Sequence, residues 1–264
     1  MKLSISNIAW SSEFDNEIYI FMQNNGFSGL EIAPTRIFPE KPYECLTEVE
    51  KFSGQIKEKY GIEICSMQSI WYGRTEHLFG SISERQMLIE YTKKAIEFAK
   101  VANCKNIVFG SPKNRIMQDA SQYEQAVQFF AELGQYAERK HTCVAIEANP
   151  AIYGTNFINT TAEAFKLCRD VNSDGIGVNV DLGTIIENKE NLQVIFDNID
   201  LVNHIHVSEP YLNIVQKREI HTELSQLLFE KKYNKYISVE MKKSDIEIIK
   251  SVLIYIKSIF GLNN

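Results

Sequence analysis

Short runs of β-forming residues alternate with longer amphipathic stretches from one end of this chain to the other, and nothing else in the sequence restricts the fold so tightly. The strand-like runs fall at 3–8, 29–33, 62–68, 106–110, 143–148, 176–181, 201–207 and 236–240, each followed by a helical segment. Eight βα units in succession describe a parallel sheet covered by helices. Helix starts are signalled by Ser83 with Gln86, Ser121 with Glu124, Thr160 with Glu163 and Ser244 with Glu247, each spaced as a capping box. In the last stretch Ile246, Ile249, Val252, Leu253, Ile256 and Phe260 share one helical face, which should pack on the sheet. Polar residues gather at the C-terminal ends of several strands, where an open doubly wound sheet would stay apolar. That distribution favours a (β/α)8 TIM barrel, whose chemistry lies at that face. A length of 264 residues suits one such barrel over 1–264, with 69–82 and 110–120 as loops over its mouth.

Several function classes are excluded early. Neither G-x-G-x-x-G nor G-x-x-x-x-G-K-[ST] occurs, so dinucleotide and P-loop binding have no motif. The net charge of -6 is the wrong sign for a nucleic-acid partner. No apolar run approaches the roughly 18 residues of a membrane span, and MKLSISNIAW has no apolar segment behind its lysine, so a cytoplasmic protein is expected. The five cysteines (Cys45, Cys65, Cys104, Cys143 and Cys168) are dispersed, form no C-x-x-C pair, and read as reduced, small apolar residues.

Residues two apart on a strand point the same way. Followed inward, strand 5 offers Glu147 and Asn149, strand 6 Asn179 and Asp181, strand 7 His204 and His206, strand 8 Ser238 and Glu240. Three carboxylates and one or two imidazoles thereby meet at one rim. Carboxylates so crowded repel unless a positive charge sits among them, and a divalent cation is the natural partner. Oxygen-rich ligation with one nitrogen favours Mn2+ or Mg2+ and also admits Co2+ or Zn2+. His204, one layer lower, reads as a hydrogen-bonded barrel histidine, and Glu31 and Gln68 either touch substrate or satisfy one another.

At these residues the sequence resembles the xylose isomerase-like barrel superfamily, and within it the sugar phosphate isomerase/epimerase group. The resembling pieces are AIEANP (145–150) with GTNFINT (154–160), VNVDLGT (178–184), HIHVSEP (204–210) and SVEM (238–241), one per strand and in family order. NNGFSGLEI (24–32), SMQS (66–69) and VFGSPKNR (108–115) extend the likeness over nearly the whole chain. The resemblance implies that Glu147, Asp181, His206 and Glu240 bind one divalent metal, and that Glu147 and Glu240 are the two acid/base groups. Two departures stand out. Thr184 occupies the place of a usual family histidine, which weakens a second metal. The chain also has only five histidines (His77, His141, His204, His206 and His221), too few for the multi-zinc cluster of the endonuclease relatives.

The chemistry follows. Proton abstraction beside a carbonyl builds charge on oxygen, and a chelating cation stabilises the resulting cis-enediolate. Acids on opposite faces epimerise one carbon, whereas return of the proton to the adjacent carbon isomerises aldose to ketose. The expected function is therefore a metal-dependent isomerase or epimerase of a small sugar or sugar phosphate. A dehydratase or lyase acting on a polyol or keto-inositol uses the same groups, and a carbohydrate-binding barrel without turnover is the rival of another class. Substrate-binding candidates are Glu209, Asn149, Gln68, Trp71 (with Trp10 and Tyr72 as apolar wall), and Lys113 and Arg115 for a phosphate, with Arg36, Lys217 and Arg218 weaker. The expected partner is a small sugar, not nucleic acid or membrane, and a homodimer is compatible with the sequence.

Overall fold

The computed structural model of the chain describes residues 1–261. Eight parallel strands, β1 (Lys2–Ser6), β2 (Phe27–Ile32), β3 (Glu63–Met67), β4 (Ile107–Phe109), β5 (Val144–Glu147), β6 (Ile176–Asp181), β7 (Val202–Val207) and β8 (Tyr236–Val239), pair in sequence order. β8 closes back on β1 through the in-register pairs Leu3 with Ile237 and Ser4 with Ser238. The barrel is therefore a closed (β/α)8 TIM barrel. Its helices are α1 (Asp15–Asn24), α2 (Pro34–Ile37), α3 (Leu46–Tyr60), α4 (Ile82–Val101), α5 (Tyr123–Arg139), α6 (Thr161–Val171), α7 (Leu182–Asn188), α8 (Gln193–Phe196), α9 (Glu219–Glu230) and α10 (Ile246–Phe260). Short α2 precedes α3 between β2 and β3, and α7 and α8 share the β6–β7 crossover.

Two layers of burial follow from strand alternation. Outward residues such as Ile5, Leu30, Met67, Val178 and Ile205 are buried against the helices, including the apolar face of α10. Each large side chain removed from water there contributes roughly 1.5–3 kcal/mol. The inward residues are polar for much of the barrel length. Ser4 and Ser238 are hydrogen-bonded to each other, His204 Nε2 lies 2.7 Å from Ser238 Oγ, and Ser66 accepts 2.9 Å from Asn106 Nδ2. A TIM barrel usually fills this space with branched apolar side chains. Here a hydrogen-bonded polar floor carries the groups of the mouth above it.

Local signals placed the helices but not every cap. Thr160 and Glu163 form the expected capping box at α6. At α4 the box is Ser81 with Glu84, and Ser83 lies inside the first turn. Before α5 it is Asp119 with Gln122, and Ser121 lies within a 3-10 turn. Both segments contain two overlapping matches to the spacing, and the extended backbone at Ser81 and Asp119 selects the earlier one. Ser244 is displaced at α10 by Asp245, which occupies the cap position without a side-chain bond; Ser244 Oγ instead reaches Lys242 O at 3.3 Å.

The loops after β3 and β4 meet above the barrel as expected. Leu78 N donates to Asn114 O at 2.8 Å, and Asn114 Nδ2 reaches back to Glu76 O at 2.9 Å. No helix among the described residues is long and apolar enough to cross a membrane.

Two glycines give opposite predictions. A Cβ at Gly175 would stand 2.0 Å from Gly134 O of α5, a backbone atom that cannot swing aside, whereas one at Gly54 in α3 meets nothing within 4 Å. Gly175→Ala should lower stability by about 1–3 kcal/mol, and Gly54→Ala should raise it by about 0.5–1 kcal/mol. Urea unfolding should show the two midpoints moving in opposite directions at unchanged slope.

Candidate functional site

The ends of β2, β5, β6, β7 and β8 bring their inward side chains to one point. His206, fully buried on β7, is its centre. Its Nε2 lies 2.8 Å from Glu31 Oε2; its Nδ1 faces Glu147 Oε1 at 3.1 Å and Glu240 Oε2 at 3.3 Å. Asp181, in register with His206 on the neighbouring strand, completes a set in which one atom of each of Glu147, Asp181, His206 and Glu240 lies within 4.8 Å of the others. These are the four residues singled out from the sequence, drawn together from four consecutive strands.

Each acid is held by its own partners. Asn179 Nδ2 donates to Glu147 Oε1 at 2.7 Å, and Asn149 Nδ2 lies 3.2 Å from Oε2. Gln68 Nε2 donates to Glu240 Oε1 at 2.8 Å while also touching Ser6 Oγ and Glu31 Oε1. Asp181 ends β6 and caps α7 at once, accepting from Thr184 N at 2.7 Å, with Ser208 bonded to its other oxygen. Thr184 Oγ1 lies within hydrogen-bond distance of both Asp181 Oδ2 and Ala148 O. In place of a histidine, this chain therefore has a hydroxyl that braces the acid beside it.

Electrostatics at the cluster are strong because water is excluded. Burial raises the Glu240 carboxyl to about 7, against the favourable charge of His206. Burial and the neighbouring Glu147 raise Asp181 to about 6. Burial acts the same way on Glu31, but the charges and hydrogen bond of His206 and His204 outweigh it and hold Glu31 at about 2. His206 would be pushed down by burial; Glu31 and Glu240, with Glu147 close by, hold it well above 6.5.

The donor set fits a divalent cation. His206 Nδ1 is buried, and neither nearby carboxylate oxygen is placed to take a hydrogen bond from it. Nitrogen and oxygens thus stand side by side, facing a common space. Two ligands at right angles on an ion with bonds of about 2.1 Å stand about 3.0 Å apart, close to the observed 3.1 and 3.3 Å. Glu31 on Nε2 fixes the ring and its tautomer from behind, as carboxylates do for metal-binding histidines. A second group of potential ligands, Glu31, His204 and His206, lies below and shares His206.

A cavity of about 200 Å³ opens over the cluster, bounded by Gln68, Glu147, Asn149, Asp181 and Glu240 and by Tyr153 and Leu212. Tyr153 and Leu212 belong to loops with no motif and were not singled out from the sequence. Leu212 follows Tyr211, and both have left-handed backbones (φ 52° and 61°), a conformation with no reliable signal in these residue types. Gly110 is a further omission: a Cβ there would lie 2.8 Å from Glu147 Oε2.

The remaining candidates are distributed differently. Arg115 is completely buried; its Nη2 donates to Glu147 O at 2.9 Å and Asn149 Oδ1 at 2.8 Å, and burial lowers it to about 10. Lys113 is exposed on a short 3-10 turn beside the cavity. Glu209 is buried and chelated by Arg218 Nε and Nη2 at 2.7 and 2.6 Å. Trp71 is buried, donates to Thr92 Oγ1 at 2.8 Å and packs edge-on against Phe109. Trp10 is buried, Tyr72 is exposed, and Arg36 pairs with Asp15 at 2.6 Å. Lys217 is exposed beside the Tyr255 ring. The geometry thus brings Gln68 and Asn149 to the cluster and directs Arg115, Glu209 and Trp71 toward contacts within the protein.

Residues 21–259 match the sequence profile of the xylose isomerase-like TIM barrel family. No curated protein sequence matches the chain. Similar solved structures include the apo form of 3-keto-D-glucoside 4-epimerase from E. coli, at 19% identity and TM-score 0.78 over 98% of this chain and 99% of that one. D-psicose 3-epimerase in the presence of D-fructose is 16% identical, TM-score 0.79, over 99% and 100%. An AP endonuclease of family 2 from Brucella melitensis is 15% identical, TM-score 0.76, over 96% and 98%. At these identities the likeness is one of fold.

Gly110→Ala, a change outside the four candidate ligands, should turn the Glu147 carboxylate away from Asn149 in a crystal structure. If the cluster holds a divalent cation, the same change should weaken its binding roughly ten- to a hundredfold by calorimetry. An unmoved Glu147 with unchanged affinity would contradict this account of the β4 backbone.

Proposed function

The chain belongs to the xylose isomerase-like TIM barrel family, and from that premise we propose that it is a divalent-metal-dependent isomerase or epimerase of a small sugar or sugar phosphate. One observation carries the reading. Glu147 and Glu240 approach the same face of His206 from strands on either side, beneath a cavity of small-sugar size. A purely structural role would bury three acids around a single imidazole, an arrangement whose desolvation is hard to offset.

Glu147, Asp181, His206 and Glu240 would hold the ion. Mn2+ or Mg2+ suits the three carboxylates best, and Co2+ or Zn2+ is compatible with the histidine. When bound, such an ion polarises a carbonyl and offsets the negative charge that develops on oxygen as the neighbouring carbon loses a proton. The protein's own groups move that proton. Glu147 is aimed by the amides of Asn179 and Asn149, and Glu240 by that of Gln68, so neither carboxylate swings freely. If one takes the proton and the other returns it to the opposite face of the same carbon, the centre is inverted. Return to the adjacent carbon exchanges aldose and ketose. Val108, Tyr153 and Leu212 give the cavity an apolar side that limits water around the reacting atoms. Gln68 and Asn149 line the cavity as polar groups for substrate hydroxyls, and Lys113, exposed on the Pro112–Asn114 turn that follows Ser111, is the candidate for a phosphate at the rim.

Elemental analysis of purified protein should find a divalent metal, and its content should fall in Glu240→Gln. Incubation with ketohexoses, ketopentoses and their phosphates in D2O should introduce deuterium at a carbinol carbon without loss of water. Glu147→Gln and Glu240→Gln should each slow that exchange by about 10²–10⁴-fold. Loss of a water-equivalent mass from product would favour the dehydratase. If no divalent ion associates and Glu240→Gln alters neither metal content nor exchange, the enzyme reading fails.

A further inference from the structure

Two cavities open on the C-terminal face, and Ser69 lines both. The one over the carboxylates, about 200 Å³, has room for little beyond one small sugar. Its neighbour, about 950 Å³, lies over the ends of β8, β1, β2 and β3, between Trp10, Arg36, Tyr72 and Lys243. That is near the top of the roughly 300–1,000 Å³ range of whole ligand sites. None of the four candidate metal ligands lines it, so it adds space rather than chemistry.

Its lining indicates what it would hold. Tyr72 is 72% exposed, with most of its ring open to the groove and solvent. Pro39, Pro42 and Ile8 extend the apolar wall, and Ser11, Ser12 and Thr35 add hydroxyls. Four cations line the groove, and among its described lining residues there is no carboxylate. Three of the four are matched from outside the lining: Arg36 by Asp15 at 2.6 Å, Lys41 by Glu44 at 3.5 Å, and Arg74 by Glu76. Lys243 alone has no such partner among the described residues. The charge is therefore largely offset, and the guanidinium planes of Arg36 and Arg74 are held by Asp15, Trp10 O and Glu76 before any ligand arrives. Neutral hydroxyls of Ser11, Ser12 and Thr35 beside an exposed aromatic ring suit an uncharged sugar, whose hydroxyls pair with them and whose C–H face packs on the ring. Among the described lining residues only Lys243 is left unpaired for an anion, so a phosphate would meet a single free cation here.

We infer that the substrate is a glycosylated sugar, with its reacting unit over Glu147 and Glu240 and a second, uncharged glycosyl unit in the groove against Tyr72. This rests on the isomerase or epimerase reading and narrows its substrate class. The experiment follows deuterium incorporation from D2O into D-fructose, its 4-O- and 6-O-glucosyl derivatives maltulose and isomaltulose, and D-fructose 6-phosphate. At least one glucosylated ketose should exceed D-fructose in kcat/KM by about tenfold or more. Tyr72→Ala should remove most of that advantage through KM, and Tyr72→Phe, which keeps the ring, should retain it. Equal use of D-fructose, preference for the phosphate over both glucosylated sugars, or an equal loss on all substrates in Tyr72→Ala would overturn the proposal. Should no sugar exchange, the isomerase reading itself fails. Calorimetry then tests the groove alone: maltulose or isomaltulose binding weakened about tenfold by Tyr72→Ala supports it, and no binding of either overturns it.

Discussion

The mouth of this barrel depends on one side chain. His206 is wedged between Glu31 on one ring nitrogen and Glu147 and Glu240 on the other, all largely withdrawn from water. In such surroundings the acids can share so small a space only if positive charge is available. The acids around it hold the imidazole well above its usual range, and a divalent cation at Nδ1 would take over that compensating role. Because Glu31 stays ionised, the ring is fixed from below and Nδ1 is presented upward, toward the carboxylates of the rim.

The polar barrel floor follows from the same constraint. Ser66 and Gln68 supply hydrogen bonds to Glu31, and Ser6 supports Gln68, so the charged layer rests on groups that satisfy it. An apolar interior would leave Glu31 without donors, at a desolvation cost of several kcal/mol. Arg115 contributes from the side. Its Nη2 hydrogen bond to Asn149 Oδ1 sets which end of that amide faces Glu147. A cation that looks like a phosphate ligand in the sequence is, in the fold, a brace for the strand that carries Glu147. Glu209 and Arg218 behave similarly, neutralising one another beside the β7 loop.

The cluster was legible because alternation holds at the C-terminal ends of β5 to β8, above the register shift between β6 and β7, so Glu147, Asp181, His206 and Glu240 point inward at the same end. The substrate candidates were less so. Trp71 follows a strand as a sugar-stacking residue would, yet it turns back to pack on Phe109. The overlapping boxes at Ser81 and Ser83 show the same limit at smaller scale, since two registers satisfy the spacing and only the backbone conformation selects one. Tyr153, Leu212 and Gly110 gave no signal, because their importance lies in what comes near them rather than in their own chemistry.

Sequence alone determined the eight βα units, the polar strand ends and the identity of the acids that share a rim, because periodicity and residue type are local properties. Tertiary structure decided which charges are paired, which aromatic rings are buried and how the space above the rim is divided into a small cavity and a long groove. Those outcomes depend on the paths of loops joining strands far apart in the chain, and on hydrogen bonds such as Arg115 with Glu147 and Gln68 with Glu240 that exist only after the barrel has closed.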